Sequence, residues 1–314
     1  MINAKWGIIV NPNAGGGKVK TEIDSIKALL KQHNINFQFL ESEYPLHAIE
    51  LTKSAIKADC TLITAVGGDG TINEVVNGIM EQKEVPLNKI TMGCIPIGTG
   101  SDWAKMHAIP NKPKQAIATI LEGNFIRHDV GVVNYMANEV ENIRYFVNVA
   151  GLAIDAFIAK ETSSVSKVGV SGHVLYFTGL MKALNQFTPQ PCKVVLDDEL
   201  EFENDYLSIN IGICKYSGGG MSVVPKAIAD DGLFEVTLFE KLNLMEALNS
   251  IKYLYNMKLY EHRKAHHYRA KKITVTAKPQ TMLETDGEVL GTSPATFTMM
   301  PNALKVIVAK KESE

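Results

Sequence analysis

Three times in its first 103 residues the chain carries an apolar segment into a glycine-rich turn and out again with helical character. Trp6 to Val10 leads into Asn11-Pro12-Asn13-Ala14-Gly15-Gly16-Gly17-Lys18, and Cys60 to Val66 into Gly67-Gly68-Asp69-Gly70. Ile90 to Ile95 leads into Pro96-Ile97-Gly98-Thr99-Gly100-Ser101-Asp102-Trp103. A continuous apolar run marks a strand buried on both faces. Between the runs, Ile23, Ile26, Leu29 and Leu30 fall at helical spacing, and His47 to Lys57, Ile72 to Met80 and Pro113 to Leu121 also read as helices. With Phe37 to Glu41 as a further strand, this alternation predicts βαβ units and a parallel sheet over residues 1–125.

After residue 125 the texture changes to short strand candidates separated by turn residues, among them Val130 to Val133, Tyr145 to Val149, Leu207 to Ile213 and Leu233 to Phe239. Two helices, His173 to Phe187 and Leu244 to Lys258, interrupt them. Few crossovers among many strands predict a mostly antiparallel β-sandwich over 126–300, with 301–314 packing back on the first domain. A length of 314 residues suits two domains, because single cores rarely grow past about 250–300 residues.

Forty-six per cent apolar residues exclude a disordered chain, and 32 Lys+Arg against 34 Asp+Glu supply no field for a nucleic acid. The four cysteines, Cys60, Cys94, Cys192 and Cys214, lack metal-ligand spacing and read as reduced, buried thiols of a cytoplasmic protein. No signal-peptide core opens the chain. The longest apolar-rich stretch, Tyr145 to Ala159, is broken by Asn148 and Asp155 and is too short to span a bilayer.

The chemistry gathers at the glycine turns. Glycines let the backbone approach a phosphate closely, and a following helix adds free N–H donors and a positive dipole end. Asp69 places a carboxylate in the same turn, suited to a metal-bound phosphate or a ribose hydroxyl; the alternative is a plain capped strand–helix turn. The first turn is not a Walker A loop, since Pro12 and Val19 stand where Gly and Ser or Thr would be needed, and it is not GxGxxG. Parallel strands present the same end, so the three turns should line one sheet edge.

Two acidic groups lie in the second half. Asp286 and Glu288 flank Gly287 and would share one face in β geometry, as reacting carboxylates or as an acidic hairpin tip. Asp230-Asp231-Gly232-Leu233 combines carboxylates with a glycine turn, a pattern that suits a hard cation or a simple turn before a strand. His262, His266 and His267 lack a metal-site pattern. The stretch Tyr260 to Lys272 is basic and reads first as a solvated loop ahead of a strand, second as a contact for an anionic membrane surface.

Together GGDGTINEVVNGI, the preceding VNPNAGGGK, the following PIGTGSDWA, ADDGLFEV at 229–236 and TDGE at 285–288 resemble the soluble bacterial diacylglycerol kinase/lipid kinase family. That family is related to sphingosine kinases and more distantly to NAD kinases and phosphofructokinases. The resemblance covers essentially the whole chain. Two departures stand out: Ser101 where the family's turn has Asn, and Trp103 for a usual Phe.

The resemblance implies an NAD kinase/phosphofructokinase-like α/β domain and ATP- and Mg²⁺-dependent phosphorylation of a lipid hydroxyl, foremost that of diacylglycerol, giving phosphatidic acid. ATP contacts would come from Asn11, Pro12, Asn13, Ala14 and Gly15, from Ser42, from Gly67, Gly68, Gly70, Thr71, Ile72, Asn73 and Glu74, and from Gly98 and Thr99. Asp69 would organise the nucleotide and its metal. Asp286 would be the general base, with Glu288 its partner or alternative. A structural Mg²⁺ would sit on Asp231 and the carbonyls of Ile228 and Leu233. The lipid partner would be met at a membrane surface by a peripheral, cytoplasmic enzyme, as a monomer or a homodimer. The alternatives are an NAD kinase-like enzyme with a soluble substrate and a non-catalytic nucleotide or lipid sensor.

Overall fold

The structure is a computed structural model that describes residues 4–98, 101–165 and 172–310. The chain divides into two compact units, residues 1–128 with 302–314, and residues 129–301.

The first unit alternates strands and helices: β1 (Trp6–Val10), α1 (Lys18–Gln32), β2 (Phe37–Glu41), α2 (His47–Lys57), β3 (Leu62–Gly67), α3 (Asp69–Glu81), β4 (Thr91–Pro96), α4 (Asp102–Met106) and α5 (Pro113–Glu122). β1 pairs in parallel with β2 and β3, and β3 in parallel with β4. Every residue of β1, β3 and β4 is buried, as two-sided coverage by helices requires. Lys305 and Val306 return near the end of the chain to pair in parallel with β4. Helix α1 turns Val19, Ile23, Ile26 and Leu30 inward.

The second unit takes in most of β5 (Phe125–Ala137), then β6 (Val140–Phe146), β7 (Val149–Ala153), α6 (Ile154–Val165), α7 (Gly172–Gln186), β8 (Pro191–Leu196) and β9 (Leu200–Gly212). It continues with β10 (Tyr216–Ser217), β11 (Met221–Ser222), β12 (Phe234–Glu240), α8 (Leu244–Tyr255), β13 (Ala265–Ala270), β14 (Lys272–Ala277), β15 (Met282–Thr285) and most of β16 (Glu288–Ile307), whose end from residue 302 belongs to the first unit. Antiparallel pairing runs from β9 to β7, β15, β16, β14, β8 and back to β9, so the ladder closes on itself as a barrel. β8 takes residues 200–205 of β9, whereas β7 and β12 both pair with residues 208–212. β12 and β13 extend the sheet beyond β9. Ile154 and Ile158 of α6 and Ala183 of α7 pack with Leu207, Phe239, Leu259 and Ala265 in one apolar cluster.

Two local expectations are revised. Tyr145 to Val149 is not one strand: β6 ends at Phe146 and β7 begins at Val149, because the N–H groups of Val147, Asn148 and Val149 donate to the Asp286 carboxylate. The stretch Tyr260 to Lys272 is not merely a loop, since Ala265–Ala270 is a strand paired with β12. Its polar residues hid the strand, for only Ala265 and Ala270 are buried. All four cysteines are buried, and none forms a disulfide.

Candidate functional site

In the first unit the register of the sheet assembles the glycine turns. Val10 lies opposite Glu41 and Val66, and Gly67 opposite Pro96, so Asn11, Ser42, Gly68 and Gly98 all follow strand ends on one edge. The Asn11 N–H donates to Val66 O and the Ser42 N–H to Val10 O, tying those ends together. Gly15, Gly16 and Gly17 have φ of 63°, 68° and 87°. A Cβ on Gly15 would stand 3.1 Å from Gly98 Cα, so the first and third turns approach this closely because Gly15 lacks a side chain. A hollow of ≈ 880 Å³, its open side included, is lined here by Gly15, Gly68, Gly98, Ser101, Lys105 and Asn111 among others. Lys105 and Asn111 were not singled out in the sequence, because neither belongs to a glycine turn.

Asp69 begins α3, yet its carboxylate serves α4. Oδ1 accepts from Ser101 Oγ at 2.6 Å and from the Trp103 N–H at 3.3 Å, and Oδ2 from the Asp102 N–H at 3.0 Å. It thus joins the second and third turns and satisfies the orphan donors at the start of α4. Desolvation pushes the Asp69 carboxyl up, and these three donors oppose that rise. Ser101 also caps α4 by accepting from the Ala104 N–H at 3.2 Å. The hydroxyl that replaces the family's Asn therefore holds Asp69. The buried Trp103 finds an acceptor for its indole N–H in His128 Nε2, 3.3 Å away.

Other expected nucleotide contacts turn inward. Ile72 belongs to the core, and Asn73 Oδ1 accepts from Asn77 Nδ2. Glu74 accepts from the Ala48 N–H in the first turn of α2. Thr71 is buried beside Gly67, with no hydrogen-bond partner for its hydroxyl among the described residues. Gly70 lies in the first turn of α3, and Pro12, Asn13 and Ala14 in the first glycine turn, where the Asn13 N–H donates to Asn11 Oδ1. Thr99 lies outside the described residues.

In the second unit the acidic turn carries a cluster of carboxylates. Asp286 has φ of 51°, and its oxygens accept from the three amides at 147–149 over 3.0–3.2 Å. Glu288 pairs with Arg144 at 2.9 Å. Glu284 is buried and accepts from the Gly287 N–H at 2.8 Å. Burial raises the Glu284 carboxyl well above the carboxylate range, and the charges of Asp155, Asp286 and Glu288 push it further. Burial also takes Asp155 up to about 7, against the Ser208 hydroxyl that donates to it. Sequence reasoning missed both residues as site groups. The available signals were a charge inside the apolar run Gly151 to Ala159, and a third acid two residues before Asp286 on the same strand face.

At the expected cation site of Ile228, Asp231 and Leu233 the carboxylate is engaged within the chain. Asp231 Oδ1 accepts from the Leu233 N–H, and Oδ2 faces the Arg269 guanidinium, which supplies the positive charge a metal would bring. Basic residues of Tyr260 to Lys272 are similarly matched: Arg263 and Lys264 pair with Glu246, and Lys272 with Asp198.

Residues 5–133 match the family described as the diacylglycerol kinase catalytic domain, and residues 147–308, more than half of the chain, match the YegS C-terminal NAD kinase beta sandwich-like domain. This chain belongs to the diacylglycerol kinase family. It is 28% identical over 303 residues to a diacylglycerol kinase of Staphylococcus carnosus, covering 96% of this chain and 94% of that protein. The fold is shared with a diacylglycerol kinase of Bacillus anthracis, with a TM-score of 0.71 at 21% identity over 97% of both chains. It is shared more distantly with yeast NADH kinase, with a TM-score of 0.53 at 10% identity over 98% of this chain and 84% of that one. The family is thus a kinase family of two domains, the second a β-barrel here. No helix among the described residues is long and apolar enough to cross a membrane.

Proposed function

We propose that the protein transfers the γ-phosphoryl group of MgATP to a lipid hydroxyl, that of diacylglycerol foremost. The observation that carries this reading is the glycine-lined edge of the first unit in a chain of the diacylglycerol kinase family. Phosphoryl transfer needs positioning and charge neutralisation more than covalent help. The amides of the glycine turns suit the phosphates, and Lys105 lines the same hollow with a cation. Asp69 acts as a clasp that holds the turns in register, and the magnesium arrives as part of the nucleotide substrate.

The alcohol oxygen forms its bond to the γ-phosphorus as the bond to the β-bridging oxygen breaks, and ADP leaves. The hydroxyl proton passes to Asp286, which the amides at 147–149 hold in one orientation. Glu288 is fixed by Arg144 and acts as its neighbour in the cluster. The lipid would be met at a membrane surface. Pairing of Arg263, Lys264 and Lys272 with acids of the same chain makes that contact weak electrostatically.

The test is transfer from labelled ATP to a panel of diacylglycerol, monoacylglycerol, ceramide, sphingosine and NAD. Phosphatidic acid is the expected product, with turnover abolished and ATP affinity kept in Asp286→Asn. Phosphorylation of NAD alone would establish the soluble-substrate reading, which the likeness to NADH kinase favours second. ATP binding without transfer to any acceptor would make the protein a sensor.

A further inference from the structure

Helix α8 turns one side inward. Ala247 and Ser250 are buried, and Leu254 packs on the apolar cluster that holds Ile154, Phe239 and Leu259. The outward side is a stripe of Met245, Leu248, Asn249, Lys252, Tyr255 and Asn256, which fall on one face at helical spacing. Met245 is 67% exposed and Tyr255 49%, and Met257, just past the helix, is 43% exposed. Single exposed apolar residues are ordinary on a protein surface. An outward helix face with two large exposed apolar residues, a half-buried leucine and no acid is not, because a solvated face normally carries charges of both signs.

The charge around this face is positive, although the chain as a whole carries −2. Residues 241–264 hold five cations, Lys241, Lys252, Lys258, Arg263 and Lys264, against two acids, Glu246 and Glu261. Both acids are engaged, Glu246 by Arg263 and Lys264 at 2.9 Å and Glu261 by Lys258 at 3.2 Å. Lys241 and Lys252, both exposed, form no ion pair among the described residues. A lysine lays its apolar stem along a surface and lifts its ammonium to an anionic layer, and a tyrosine joins an apolar ring to a polar tip. Methionine, tyrosine and lysine on one helix face, with no carboxylate to repel phosphate, match the boundary between lipid headgroups and acyl chains.

We propose that the outer face of α8, from Lys241 to Lys258, is the surface by which the protein docks on an anionic phospholipid membrane. Met245, Tyr255 and Met257 enter the boundary layer, and Lys241 and Lys252 meet the phosphates. The inference rests on the lipid kinase reading and deepens it. It assigns the membrane contact to α8 rather than to the basic stretch Tyr260 to Lys272, where Arg263, Lys264 and Lys272 pair within the chain.

The probes are vesicles of phosphatidylcholine alone and of an equal mixture with phosphatidylglycerol, floated with the full chain without nucleotide. Wild type should bind the mixed vesicles and leave the neutral ones, with binding that weakens at high salt. Lys252→Gln should weaken binding about fivefold, which corresponds to the ~1 kcal/mol of one basic residue at an anionic surface. Met245→Gln should weaken it about tenfold, and that loss should persist at high salt. Leu200→Gln, at an exposed apolar residue that begins β9, should change nothing. Absence of wild-type binding to the mixed vesicles, equal binding to both kinds, or wild-type binding by Met245→Gln overturns the face. A wild-type dimer in sedimentation equilibrium that Met245→Gln dissociates makes the stripe a contact between copies and also overturns it. The kinase reading fails separately: vesicle binding that depends on Met245 and Lys252, with no lipid phosphorylated, keeps the docking face and rejects the kinase. In the double variant the expected rate is lower on vesicle diacylglycerol and unchanged on a monodisperse short-chain diacylglycerol. A wild-type rate on both keeps the kinase and rejects the face.

Discussion

Asp155→Asn should stabilise the fold by an amount that grows with pH. Asp155 is half-buried and accepts from the Ser208 hydroxyl, and desolvation moves its carboxyl from 3.8 to about 7. Between those values the folded protein keeps a proton that the unfolded chain has released. Stability therefore falls as pH rises from about 4 to 7 and then levels. The full displacement corresponds to about 4 kcal/mol, and partial exposure brings the expectation to about 2–4 kcal/mol. Asparagine cannot ionise, and its Oδ1 preserves the acceptor for Ser208. The two proteins should have nearly equal unfolding free energies at pH 4, with the variant ahead by about 2–4 kcal/mol at pH 8. Glu284 remains and continues to oppose ionisation in both proteins, less strongly in the variant because one neighbouring charge is gone. Urea unfolding at pH 4.5, 6, 7 and 8 measures the difference. A gap that stays constant with pH, or a variant less stable at pH 8, would refute the desolvation argument.

The clasp between the glycine turns predicts that Ser101→Ala loses about 1–2 kcal/mol in urea unfolding, since one hydroxyl holds Asp69 and caps α4, whereas Ser101→Asn stays within about 1 kcal/mol of wild type. A loss below ~0.3 kcal/mol for the alanine variant would contradict the clasp. Gly67→Ala would place a Cβ 2.3 Å from Thr71 Oγ1, and overpacking of this kind costs about 1–3 kcal/mol. Nucleotide affinity should fall with it, and titration of the variant with MgATP checks this. Because Arg269 already faces Asp231, neither chelator nor added Mg²⁺ should move Tm in the absence of nucleotide. A magnesium-dependent rise would reinstate a cation there.

Some of the revised expectations share a cause. The break between β6 and β7 could not be read from Tyr145 to Val149, because Asp286, which takes those amides, lies far away in the sequence. The strand at Ala265–Ala270 could not be read from its own residues, because its order comes from pairing with β12. Asp69 stands out in the sequence among its glycines, yet its hydrogen-bond partners at 101–103 lie about thirty residues along the chain.

What the sequence determined alone was whatever local chemistry forces. Apolar runs must be buried, glycines mark where backbones approach, and periodicity separates helices from strands. These place three turns after three strands and mark the acidic turn around Asp286. Tertiary structure decided which groups those turns and acids meet. It set Asp69 on the α4 donors, Arg269 on Asp231, and Asp155 beside Glu284. The physical reason is range: backbone propensity and hydrophobic pattern act over a few residues, whereas desolvation and charge depend on neighbours that only the fold supplies.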